Sequence, residues 1–262
     1  VGFIGMWGWW KLRRRRRAAA RPFPAAWREV LSRNVAHFGR ISAQQQARLC
    51  RDLSILIAEK YWEGCGGLAV TDEVKVTVAA QACLMLLGRD DHDYFARVPT
   101  VLVYPSAFRE PTDDGEWPRA GWAGRSVYRG PVILAWDAAL GEGRDPSLGW
   151  NLVIHEFAHQ LDDLDGSVNG TPALGSDGEG EKWARVMTAE YTRLLRDLRK
   201  GRETFLGGYA ATSEAEFFSV ASERFFTLPH RLRRYHPSLH ELLRGYYRVD
   251  PGEWFDPADE PA

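Results

Sequence analysis

The sequence predicts an α+β fold, mostly helical, built around a small twisted mixed sheet. Three observations predict it. Apolar residues recur at helical spacing through the first third and again near the C-terminus. Short β-branched runs, VPTVLVY at Val98–Tyr104 and PVILAW at Pro131–Trp136, interrupt that pattern at mid-chain. Between them and the C-terminal helices lies NLVIHEFAHQLDDLDG, Asn151–Gly166, an apolar helical stretch carrying two histidines four residues apart.

The elements follow in order. Residues 1–24 read as a flexible Trp/Arg-rich arm, in which Trp7, Trp9 and Trp10 precede five consecutive arginines, Arg13–Arg17. Its apolar part is roughly half the length a membrane span needs. The basic residues follow the apolar run, the reverse of a secretory leader. Either the arginines are simply solvated, or the arm makes weak peripheral membrane contact. Pro22 and Pro24 close the arm. Helical spacing runs from Ala25 to Phe38, and Ser42 caps a helix that reaches about Trp62. Gly64, Gly66 and Gly67 break it, and Thr71 caps a third helix ending at Gly88.

Val98–Tyr104 reads as a strand, with further short strands at Ser126–Tyr128 and Pro131–Trp136. The polar segment Phe108–Gly121 is a candidate cover for a cleft. After the histidine-bearing helix come a glycine-bearing loop (Gly166–Gly180) and helices near Glu181–Lys200, Ser213–Phe226 and Ser238–Tyr246. No internal repeat or Ser/Gly linker divides the chain, so residues 25–250 read as a single domain and 251–262 as a loose acidic tail.

Composition sets bounds. With 262 residues, 45% hydrophobic, the chain can bury a substantial core. A formal net charge of −1 supplies no global field for nucleic acid, and no direct nucleic-acid partner is expected. Cys50, Cys65 and Cys83 form no close pair and read as apolar fillers, which suits a reducing, cytoplasmic setting.

The chemistry is carried by the histidines. Residues four apart on a helix share a face, so His155 and His159 can direct their imidazoles at one point. Imidazole is a good zinc ligand, and a catalytic zinc takes three protein ligands and keeps one open position. Glu156 is offset by about 100° around the helix, where it suits a general base rather than a ligand. A carboxylate among Leu152, Val153, Phe157 and Ala158 is costly unless it faces a cleft or a partner.

The residues alone leave the third ligand open. Asp165 is near in sequence, while Glu216 and Glu223 share one face of the Ser213–Phe226 helix. Ser213 and Glu216 also fit a capping box, which needs no metal. Tyr209, just before that helix, is either an oxyanion hydrogen-bond donor or a half-buried helix-entry residue. Asp162 and Asp163 either steady a ligand imidazole or form a solvated helix end.

VIHEFAHQLD, YAATSEAEFF and the following SERFF together resemble the Mlc titration factor A (MtfA) family of bacterial zinc-dependent peptidases, over about Trp27–Tyr247. The resemblance implies a zincin-like fold with an HExxH active-site helix and a core related to that of anthrax lethal factor. It places one zinc ion per chain on His155, His159 and Glu216, with Glu156 and Tyr209 as catalytic residues. Glu223 then becomes a carboxylate behind the ligands, and Asp165 a loop residue. It also implies a cytosolic, aminopeptidase-like enzyme acting on peptides. A repressor partner is a further expectation, because enterobacterial members bind the glucose-responsive repressor Mlc. The rival reading is a regulatory binding protein that sequesters such a partner, its zinc structural or weakly active.

Overall fold

The computed structural model describes residues 6–106, 130–175 and 177–261. The expected strand at Ser126–Tyr128 and the expected cover at Phe108–Gly121 lie outside these residues.

The sheet is small but not mixed. Strands β1 (Tyr61–Gly64), β2 (Thr100–Tyr104) and β3 (Val132–Ala135) pair in that order, and both pairings are parallel. Parallel neighbours need a long crossover rather than a hairpin. Between β1 and β2 that crossover contains a helix, Asp72–Leu84. Val101 and Val103 of β2 are fully buried, while the residues alternating with them are half-exposed. β1 replaces the expected end of the preceding helix. Lys60 adopts an extended conformation (φ −88°, ψ 147°), and Tyr61 pairs at once with Thr100.

Four helices precede or flank the sheet: α1 (Met6–Ala20), α2 (Ala25–Asn34), α3 (Ala43–Glu59) and α4 (Asp72–Leu84). Ser42 caps α3 through a full capping box with Gln45. From Val76 to Leu84, α4 is buried on every side, as expected of an apolar helix at the centre of a core. Helix α5 (Trp136–Arg144) follows β3, then α6 (Leu152–Asp162), α7 (Asp177–Arg199), α8 (Glu214–Thr227), α9 (Pro229–Tyr235) and α10 (Pro237–Tyr247). Pro229 and Pro237 occupy first-turn positions of α9 and α10, where the missing N–H costs no hydrogen bond.

Both ends of the described chain pack against its body. The arm is helical and packs on α3. Arg15 anchors it, donating twice to Glu59 at 2.6 and 3.0 Å and stacking on Tyr94. In the tail, Trp254 and Phe255 are buried and close the core against His37. All three cysteines are free thiols. Among the described residues no helix is long and apolar enough to cross a membrane.

Candidate metal centre

Helices α6 and α8 pack against one another and bring together the two sequence motifs. Asn151 starts α6: its side chain accepts a hydrogen bond from the Ile154 amide at 2.9 Å, the N-cap arrangement. The following apolar residues Val153, Ile154, Phe157 and Ala158 are fully buried. They fix the helix so that His155 and His159 face α8, with ring centroids 4.9 Å apart.

On α8, Ser213 accepts from the Glu216 amide at 3.1 Å. Only this half of a capping box forms. The Glu216 carboxylate is turned toward the imidazoles instead: Oε2 lies 3.0 Å from His155 Nε2 and Oε1 3.4 Å from His159 Nε2. One ligand atom from each of His155, His159 and Glu216 lies within 4.8 Å of the others.

Glu223, two turns along α8, meets the other side of the same imidazole. His155 Nδ1 donates to Glu223 Oε1 at 2.6 Å, and Glu223 Oε2 accepts from the Asn151 amide at 2.9 Å. Asn151 Nδ2 in turn donates to Gln81 Oε1 at 2.8 Å, on the buried helix α4. His159 is steadied separately by the Ser219 hydroxyl, 3.1 Å from its Nδ1.

These bonds test whether the triangle suits a cation. With Nδ1–H committed to Glu223, neutral His155 presents the lone pair of Nε2 to Glu216. Glu216 Oε2 is buried and has no hydrogen-bond partner despite that 3.0 Å approach. Two electron-rich atoms so placed require a proton or a metal ion between them. In a tetrahedral zinc site with bonds of about 2.0–2.1 Å, ligand atoms stand about 3.3 Å apart. The contacts of 3.0 and 3.4 Å bracket that spacing. The residues fit a single metal ion.

In the metal-free chain a proton takes that place. Burial acts to lower the His155 pKa, but Glu223 and Glu216 outweigh it and hold it well above the ordinary value. Burial acts to raise the Glu216 pKa, and the two imidazoles overcome it, so the carboxylate stays ionised. For Glu156 burial prevails, raising its pKa against the opposing pull of His155 and His159.

Tyr209 stands on the 3-10 turn Tyr209–Ala211, half-buried, with its ring centroid 5.8 Å from that of His155. Tyr191 holds this turn by donating to the Ala211 carbonyl at 3.1 Å. Asp162 and Asp163 form neither a solvated helix end nor a hydrogen bond to either imidazole. Both are buried: Asp162 accepts from the Gly170 amide at 2.8 Å, and Asp163 binds Arg97. Gly170 has φ +77°, and a Cβ there would sit 2.4 Å from the Glu214 carbonyl oxygen, so only glycine fits this approach to α8. Asp165 belongs to the turn after α6, and its side chain lies outside the described residues.

Sequence reasoning missed Asn151, Gln81, Ser219 and Glu142. Asn151 was legible as a cap residue directly before an apolar run. Glu142 accepts from the Leu152 amide at 2.5 Å, and burial raises its pKa to about 7. Nothing local in the sequence marks Gln81, Ser219 or Glu142 as neighbours of the site.

A family model described as glucose-regulated metallo-peptidase M90 matches residues 9–248. A Synechocystis protein named slr2042 is 36% identical over 261 residues, covering 96% of this chain and 94% of its own. Mlc titration factor A of Salmonella arizonae is 31% identical over 228 residues, covering 81% and 87%. The protein of that name from Klebsiella pneumoniae is 30% identical over 239 residues, covering 86% of each chain.

Proposed function

Because the chain belongs to the glucose-regulated metallo-peptidase M90 family, we propose that it is a zinc-dependent, zincin-like peptidase. Its site is gluzincin-like: HExxH on one helix and a distant glutamate on a second. The observation that carries this is the part-buried His155–His159–Glu216 triangle, with a buried carboxylate oxygen 3.0 Å from His155 Nε2. His155, His159 and Glu216 would hold the ion. When bound, zinc supplies Lewis acidity, polarising a carbonyl and making a water more acidic.

The chain's own residues do the rest. Glu156 takes a proton from the attacking water and passes it to the leaving amine. Tyr209 offers a phenol to the oxyanion that develops at the scissile carbonyl. Glu223 keeps His155 in the tautomer that presents Nε2 to the ion. We place all of this in one domain spanning residues 25–250, with cytoplasmic, aminopeptidase-like action on peptides as the specific form.

A second reading is favoured by the relatives' names. They describe titration of a protein, Mlc, rather than cleavage. On that reading the chain sequesters a transcriptional repressor or a similar partner, and its metal site is structural or weakly active.

Glu156→Gln separates the two. The variant should keep about one zinc per chain and lose peptide hydrolysis by roughly a hundredfold or more, the contribution of a positioned acid–base. Zinc content by elemental analysis and turnover of a mixed peptide library are the measurements. Undiminished turnover would remove Glu156 from the mechanism. Absent turnover in the unmutated, zinc-loaded chain, with retained binding of a purified repressor, would establish the second reading.

A further inference from the structure

A cavity of about 870 Å³ lies between α1, the end of α3 and the segment before β2, and shares no residue with the metal centre. Lys11, Arg13, Arg14, Arg17, Arg21 and Lys60 line it. The one carboxylate among its lining residues is Glu59, already held by both arms of Arg15. Among the described residues none of the six lining cations takes part in an ion pair. Lys60 is buried and donates to the Phe95 carbonyl, and Arg13 stacks on Trp9 and Trp10.

Such an arrangement works against itself. Like charges around a common space repel, and apolar walls strengthen the field. Here the walls are Ala18, Ala58, Ala96, Val98 and Pro99. The whole chain carries a formal net charge of only −1, so this concentration is a local segregation, not a by-product of a basic protein. An anion in the cavity would relieve the repulsion.

We propose that the cavity under α1 binds an anion presenting two or more phosphate groups. Four of the six cations are arginines, whose planar forks match phosphate oxygens in pairs. The volume far exceeds one phosphate and falls within the range of about 300–1,000 Å³ usual for small-molecule sites. The Trp10 indole, 56% exposed, stands at the lining as a flat apolar surface beside the charges. Burial lowers the Lys60 pKa to about 8, with Glu59 and Asp93 opposing and Lys11 and Arg15 assisting. Two sources share this chemistry: a soluble polyphosphate and the headgroups of an anionic bilayer.

The test uses the full, zinc-loaded chain at about 0.1 M salt, where charges a Debye length apart still feel one another. Inorganic tripolyphosphate is titrated calorimetrically, and flotation is measured with vesicles containing about one-third phosphatidylserine. R14Q/R17Q alters two exposed side chains and leaves the Arg15 anchor in place. It should weaken binding by about tenfold or more, the loss expected for charge-assisted hydrogen bonds. Tripolyphosphate binding with that sensitivity assigns a soluble ligand. Vesicle capture with that sensitivity, without tripolyphosphate binding, assigns the headgroup. The proposal is overturned if neither probe binds, or if binding is unchanged in R14Q/R17Q, which is the behaviour chelation at the metal centre would give.

Discussion

Which of two carboxylates holds the ion turns on a single imidazole. Glu216 and Glu223 are seven apart on α8, so both face α6. Periodicity shows this much, and for that reason cannot choose between them. The choice lies in which nitrogen each one meets: Glu216 approaches Nε2 of His155, while Glu223 accepts from Nδ1. Asp165 drops out of consideration only through the resemblance of the second motif. The division of labour predicts distinct phenotypes. Glu216→Gln removes a ligand, whereas Glu223→Gln keeps an acceptor at Nδ1 but removes the charge that makes His155 a better ligand. Glu223→Gln should weaken zinc binding by about 10- to 100-fold, the usual effect of altering the group behind a ligand. Competition with a chelator of known affinity measures it, and saturating zinc should restore the metal content. An unchanged dissociation constant would mean that Glu223 is a core acceptor for the Asn151 amide and nothing more.

At the scale of elements, helix starts were legible because their chemistry is local. Ser42, Thr71 and Ser213 each cap a helix, as their side chains and the residues after them suggest. Strand direction was not legible. Four- and five-residue strands carry too little pattern to distinguish parallel from mixed pairing, and the aromatic start of β1 was absorbed into the preceding helix. The crossover through α4 was the available clue, since a helix between neighbouring strands favours the parallel arrangement. The N-cap of α6 links element to site. Asn151 caps the helix through Oδ1, binds Gln81 through Nδ2 and gives its amide to Glu223. Asn151→Ala should cost about 1 kcal/mol for the cap. It should cost about 1–3 kcal/mol more for leaving Gln81 Oε1 unpaired in the core. Urea unfolding of the metal-free chain reads the sum directly. A loss below about half a kcal/mol, the scale of an ordinary surface substitution, would show that water or a neighbour replaces both bonds.

For the whole molecule, the contacts that hold the two ends join residues far apart in sequence, so no local pattern shows them. Arg15 needs Glu59, and the tail needs His37. His37 joins the first and last parts of the chain, because it also donates to the Phe226 carbonyl at 2.8 Å, at the end of the site-bearing helix α8. It is fully buried, and burial lowers its pKa from 6.5 to about 4, with the Phe226 carbonyl opposing and Arg40 assisting. The sign follows. Between pH 6.5 and 4 the unfolded chain binds this proton and the folded chain does not, so stability contributed by neutral His37 is full above 6.5 and is lost as pH falls toward 4. A shift of that size corresponds to about 3 kcal/mol. His155 works the other way in the metal-free chain: its raised pKa adds stability that is lost as pH rises. The total pH profile therefore mixes the two, and a difference isolates one. His37→Phe keeps an aromatic ring in the pocket and leaves the Phe226 carbonyl unpaired, a cost that does not vary with pH. The unfolding free energy of the metal-free chain minus that of His37→Phe should then shrink by about 3 kcal/mol between pH 7 and pH 4. His155 is common to both proteins and cancels. A difference that stays flat across this range would show that His37 takes up its proton within the folded chain, and that the closure of the core by the C-terminal segment is insensitive to acid.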